Sequence, residues 1–146
     1  MSGSATGTDE ARVLSADTEE TLVRAAREAR EAAYVPYSGF RVGAAVLAES
    51  GRIYAGCNVE NASYGGTICA ERTAFVKAIS EGERGFLGVA VCGDTPTPIS
   101  PCGICRQFMA EFGLDIPIIM AGEGEARSTM TVRELLPAAF TSEDME

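Results

Sequence analysis

A layered α/β domain built on one mixed sheet is the fold class this chain predicts. Three observations carry it. The 146 residues suit one domain. Apolar spacing switches between helical and strand periods in the order α-β-β-α-β-α-β. Most glycines and prolines fall between those stretches, with no internal repeat and no linker between two cores.

Residues 1–15 are rich in Ser, Gly, Thr and Asp and predict a mobile tail ahead of a single domain over 16–146. Leu22, Ala25, Ala26 and Ala29 then recur near helical spacing, and Asp17, Glu19 and Glu20 crowd the start, where they favour the helix dipole. A helix over 16–33 is predicted, closed by Pro36, which biases Val35 away from helix. Residues 34–39 form a loop. The apolar stretches 41–48 and 53–59, separated by Glu49-Ser50-Gly51-Arg52, predict a β-hairpin. Residues 61–67 are a loop and 69–80 a helix ending near Gly82. A buried strand follows over 86–92. The segment 93–102 carries three of the six prolines and is irregular. A helix over 103–112 stops at Gly113, a strand spans 116–121, and a short helix near 132–136 precedes Pro137.

Composition narrows the chemistry. Twelve basic against 21 acidic residues give a net charge of −9. No basic run offers phosphate contacts, which disfavours nucleic acid and suits a small neutral substrate. There is no histidine, so the commonest general base and metal ligand is absent. Residues 1–12 lack a basic segment followed by an apolar stretch, and no apolar run approaches a membrane span. The expectation is a cytoplasmic enzyme whose five cysteines stay reduced.

Pro101-Cys102-Gly103-Ile104-Cys105 contains a C-x-x-C, which alone reads either as a redox pair or as half of a metal site. Cys69 supplies a third thiol two residues before Glu71. Both groups fall at predicted helix starts, where the positive end of the helix favours the thiolate that zinc binds. Three protein ligands and one water make a catalytic rather than a closed structural zinc site, and such a zinc makes hydroxide available near neutral pH. Glu71, on a first helical turn, is placed to exchange protons with that water without ligating the metal. Cys57 and Cys92 read as small buried hydrophobes.

Cys69-Ala70-Glu71 followed by Pro101 to Cys105 resembles the zinc nucleobase deaminases, whose signature is a ligand-x-Glu and a later Pro-Cys-x-x-Cys with a three-cysteine option. The resemblance extends from about Ala25 to the C-terminus. Tyr37-Ser38-Gly39-Phe40-Arg41-Val42-Gly43-Ala44-Ala45, Gly56-Cys57-Asn58-Val59-Glu60-Asn61-Ala62-Ser63-Tyr64, Cys69 to Ala74 and Glu134 to Phe140 are similar to the small, single-domain cytidine deaminases.

That resemblance implies a three-layer αβα sandwich with a mixed sheet, one Zn2+ per subunit, and a homotetramer whose pockets are shared between subunits. The implied reaction is hydrolytic deamination of cytidine and deoxycytidine to uridine and deoxyuridine, in pyrimidine salvage, by zinc-bound hydroxide attacking C4. Glu71 is the implied proton carrier and Cys69, Cys102 and Cys105 the metal ligands. Asn58 and Glu60 are expected on the ribose hydroxyls and Phe40 beside base and sugar. Ala70 offers backbone groups to the pyrimidine amide edge. Tyr64 and Phe140 are expected to complete a neighbouring subunit's pocket. Arg72 has a physical role of its own: three thiolates leave a zinc site negative, and a guanidinium donating to sulfur offsets that charge. Arg106 is a second candidate for that contact.

The rival readings are a deaminase of another substrate, such as a blasticidin S deaminase, a nucleic-acid editor, and a structural zinc or redox protein. Asn58 and Glu60 favour a nucleoside over the first, and the acidic balance counts against the second. The third leaves Glu71 and an open fourth position without a purpose. Gly65-Gly66 has no assigned role.

Overall fold

Ser15 opens the first helix. Its side chain accepts the Thr18 N–H at 3.1 Å and caps α1 (Ala16–Arg30). The computed structural model describes residues 14–146, so the expected tail lies outside the described residues except for its last two. Leu14 is not tail: it packs against the sheet at Gly88.

Helix α1 ends three residues before the sequence expectation. Tyr34 is drawn out of helical geometry by pairing with the β2 exit: its N–H donates to Asn58 O at 3.0 Å, and its carbonyl accepts the Glu60 N–H at 2.9 Å. The hairpin forms from β1 (Val42–Ala48) and β2 (Ile53–Cys57), with Gly51 at φ 94° in the turn. Strand β2 stops at Cys57 because Asn58 interrupts the ladder: its side-chain Oδ1 accepts the Val42 N–H at 2.9 Å.

Helix α2 (Ala70–Ser80) leads to β3 (Phe86–Gly93), and α3 (Gly103–Ala110) to β4 (Pro117–Ala121). One strand escaped the sequence reading. β5 (Arg127–Thr131) is polar and half exposed, without the alternation that marks a buried strand, and only its antiparallel pairing with β4 defines it. The short α4 (Val132–Leu135) follows, started by a reciprocal Thr131–Glu134 capping box.

The strand order is β2-β1-β3-β4-β5, with β3 and β4 parallel and every other pair antiparallel. Helix α1 covers one face through Leu22, Val23 and Ala26 against Ala45, Ala90 and Ile119. Gly43 makes that approach possible, since a Cβ there would collide with the Ala26 carbonyl and Arg30. Helices α2 and α3 cover the other face. The result is the expected αβα sandwich with a mixed sheet.

On that second face Phe75 is fully buried among three rings. It meets Phe86 edge-on at 4.8 Å, Phe108 at 6.1 Å and stacks on Phe112 at 5.9 Å. The cluster locks α2 against α3, so that both helices begin at the same place.

Candidate active site

Cys69 is the residue preceding α2 and Cys102 the residue preceding α3. Both have extended backbone and neither side chain caps its own helix. Their sulfurs are therefore free to point at each other, and they lie 3.6 Å apart. Cys105, one turn into α3 and fully buried, completes a group whose three sulfurs all lie within 4.8 Å of one another. Zinc–sulfur bonds of about 2.3 Å in a tetrahedral site require sulfurs about 3.8 Å apart. The group fits zinc on that measure and leaves the fourth tetrahedral position without a protein ligand.

The electrostatics favour a thiolate at the mouth of the cluster. The Cys69 thiol is lowered to about 5, chiefly by its hydrogen bond with Cys105, with burial opposing and Arg72 and Cys102 assisting. The same hydrogen bond raises Cys105, and burial adds to the effect. Arg72 Nη2 donates to Cys69 Sγ at 3.6 Å and to the Thr67 carbonyl at 3.3 Å. Arg106 serves differently from the alternative offered for it: its guanidinium donates to the carbonyls of Pro101 at 2.8 Å and Leu135 at 2.7 Å. It ties the cysteine loop to α4 and makes no hydrogen bond to sulfur.

Glu71 is 3% exposed. Burial pushes its carboxyl up to about 7, and the neighbouring Cys69 charge adds to the shift. A carboxyl held there can both accept and return a proton near neutrality.

These groups open into a cavity of about 240 Å³ that gathers Phe40, Asn58, Cys69, Ala70, Glu71 and Cys102, with Val42, Thr67, Ile99 and Ser100 on its remaining walls. Gly93 leaves space for the ring of Phe40, as a Cβ there would sit 3.1 Å from Phe40 Cζ and 2.7 Å from Ile99 Cδ1. Glu60 and Tyr64 line a neighbouring cavity of about 260 Å³, which shares Thr67 with the first. Phe140 lies apart from both cavities. It is 59% exposed, and its carbonyl accepts from Gln107 Nε2 at 2.9 Å.

Thr67, Ile99 and Ser100 are wall residues that sequence reasoning missed. Nothing in their local pattern marks them, although Ser100 adjoins the Pro101 motif. A larger concavity, about 720 Å³, lies on the outer side of α2 and α3 against Ile68, Val76, Ile104 and Phe108. It holds no acid or nucleophile, so the titratable groups locate the chemistry and cavity size does not.

Three convergent cysteine sulfurs and a buried carboxyl at paired helix starts suit a metal-dependent hydrolase. The comparisons with known proteins make that class specific. The family model of the cytidine and deoxycytidylate deaminase zinc-binding region matches residues 16–121. A cytidine deaminase of Sporosarcina psychrophila is 54% identical over 128 residues, covering 86% of this chain and 93% of the relative. A probable cytidine deaminase of Dictyostelium discoideum is 46% identical over 127 residues, 86% of each chain. The crystal structure of cytidine deaminase from Burkholderia pseudomallei superposes with a TM-score of 0.80 at 46% identity, covering 83% of this chain and 98% of that one. This chain belongs to the zinc-dependent cytidine deaminase family. Its cofactor is zinc, one ion per subunit, and the Cys69–Cys102–Cys105 group fits it.

Proposed function

We propose that this protein deaminates cytidine and deoxycytidine hydrolytically, taking up one water and releasing uridine or deoxyuridine and ammonia. Cys69, Cys102 and Cys105 hold the zinc, and Glu71 carries the protons. The observation that supports this most is the placement of a buried carboxyl, with a pKa raised to about 7, beside three convergent sulfurs at the floor of a small cavity. When bound there, zinc supplies a Lewis acid that makes water a competent nucleophile near neutral pH.

The protein's own groups do the rest. Glu71 takes the proton from the attacking water and delivers it to N3 of the pyrimidine. It then helps the C4 amino group leave as ammonia, so that the carboxylate ends as it began. The α2 N-terminus at Ala70 presents backbone groups to the amide edge of the base. Phe40 packs beside base and sugar. Asn58 and Glu60 hold the ribose hydroxyls. Arg72, donating to Cys69 Sγ, offsets the negative charge of three thiolates.

The assembly is a homotetramer in the cytoplasm, formed by single-domain chains. Support comes from Tyr64 and Phe140, 75% and 59% exposed and both aromatic, which suit the completion of a neighbour's pocket. The apolar concavity along α2 and α3 suits burial between subunits. Five free cysteines fit a reducing compartment, and no helix of the described residues is long and apolar enough to cross a membrane.

The experiment is loss of cytidine absorbance with coupled ammonia detection, on purified zinc-loaded protein, alongside Glu71→Gln. The variant should retain zinc and lose about 10²–10⁴-fold in kcat. Full turnover in that variant would sink the assignment.

A further inference from the structure

We propose that Ser38 is a positioning residue of the substrate pocket, acting through Glu60. The proposal rests on the reading of Glu60 as a group that binds the sugar.

An ionised carboxylate offers four acceptor positions. On Glu60 three of them are taken from within the protein. Oε1 accepts the N–H groups of Tyr37 at 2.9 Å and Ser38 at 3.1 Å. Oε2 accepts the Ser38 hydroxyl. One acceptor position remains, and it is on the oxygen that Ser38 holds. Asn58 is similarly committed: Oδ1 accepts the Val42 N–H and Nδ2 donates to Phe40 O, both at 2.9 Å, which leaves one amide hydrogen and one lone pair.

The Ser38 hydroxyl has a single proton to give, and Glu60 takes it. One of its lone pairs accepts the Phe40 N–H at 2.9 Å. One oxygen atom thus connects the carboxylate at the rim to the backbone that carries the aromatic ring of the pocket. Glu60, Ser38, Phe40 and Asn58 form a continuous hydrogen-bonded chain, and Ser38 is the one member of it with no assigned contact to substrate. The hydrogen bonds also hold the Glu60 carboxyl below its ordinary range, Ser38 being the largest cause, so the side chain presents itself as an acceptor. Without the Ser38 hydroxyl, Oε2 keeps no partner within the protein and the carboxylate is held through Oε1 alone, so part of its ordering falls to the substrate.

The effect belongs in KM and depends on the sugar hydroxyls. The test is steady-state kinetics on full-length zinc-loaded protein, with cytidine and with 2′,3′-dideoxycytidine, for Ser38→Ala, Ser38→Thr, Glu60→Gln and the Ser38→Ala/Glu60→Gln pair. Ser38→Ala should raise KM for cytidine by about tenfold and leave kcat within about twofold. Its kcat/KM for the dideoxy substrate should change by less than about twofold, and Ser38→Thr should restore the cytidine KM. In the Glu60→Gln background, Ser38→Ala should cost less than about twofold more.

Equal losses on both nucleosides, with a lowered melting temperature, would mark Ser38 as merely structural and overturn the proposal. An unchanged cytidine KM in Ser38→Ala beside a raised one in Glu60→Gln would overturn it as well, leaving the sugar reading intact. An unchanged KM in Glu60→Gln would instead overturn the sugar reading itself.

Discussion

The metal end of the pocket and its rim are built from opposite materials. At the metal end, position comes from burial. Cys105 and Ala70 are fully enclosed, Glu71 nearly so, and the Phe75 cluster fixes where α2 and α3 begin. At the rim, position comes from hydrogen bonds between exposed loops: Glu60 to Tyr37 and Ser38, Asn58 to Phe40 and Val42. The difference follows from what each end has to do. Proton transfer needs a raised carboxyl pKa, which burial chiefly provides here, with the Cys69 charge adding to it. Recognition of hydroxyls needs polar groups that are held in place yet keep a donor or acceptor to spare.

That contrast is open to attack from both sides. The largest effect should come from Cys105→Ala, which removes the most deeply buried of the three clustered sulfurs. Zinc content by elemental analysis and turnover should both fall to background, with secondary structure by circular dichroism retained.

Next is Phe75→Ala, far from any substrate contact, expected to destabilise the protein by about 3–5 kcal/mol in denaturant titration. If the metal end is positioned by this packing, zinc affinity should fall along with stability. Undiminished affinity would show that the thiols find one another without the aromatic cluster.

Arg72→Ala should cost about 10–100-fold in zinc affinity or turnover, read by competition with a chelator and by initial rates. Arg72→Lys should recover only part of it, because a point charge cannot donate to sulfur and to the Thr67 carbonyl in the same fixed geometry.

The smallest effect belongs to the Arg41–Asp94 pair, next to Phe40 in the chain. Arg41 donates to Asp94 through its backbone N–H at 2.9 Å and its guanidinium at 3.0 and 3.2 Å, and these bonds hold the Asp94 carboxyl below its ordinary range. A depressed folded pKa stabilises the protein above the unfolded value of about 3.9, and that stability is lost as pH falls through the folded pKa. Asp94→Asn should therefore lower the melting temperature at pH 7. The gap from the parent protein should narrow as pH drops below about 4.

How much of this was legible in the sequence differs between the two ends. The metal end is readable because its residues announce themselves locally: Cys69 and Glu71 two apart, Cys102 and Cys105 three apart, each group at a predicted helix start. The rim was less so. Asn58 and Glu60 were picked out by resemblance, but on local pattern alone they read as solvated polar positions. Their partners lie 16–23 residues away in the chain, and only closure of the fold brings these loops together. Strand β5 was hidden for a related reason. Arg127-Ser128-Thr129-Met130-Thr131 carries no core pattern, and its identity comes from the edge of β4 that it covers. Helical spacing predicts α1 three residues too long, since the pairing of Tyr34 with the β2 exit cannot be read from it.

Cys69 and Cys102 meet at 3.6 Å across 33 positions of chain. An ion shared between them is a removable cross-link, closing the same kind of loop that a disulfide would and restricting the unfolded chain in the same way. An ion that binds the folded site in preference to the open chain raises thermal stability with its free concentration, by mass action.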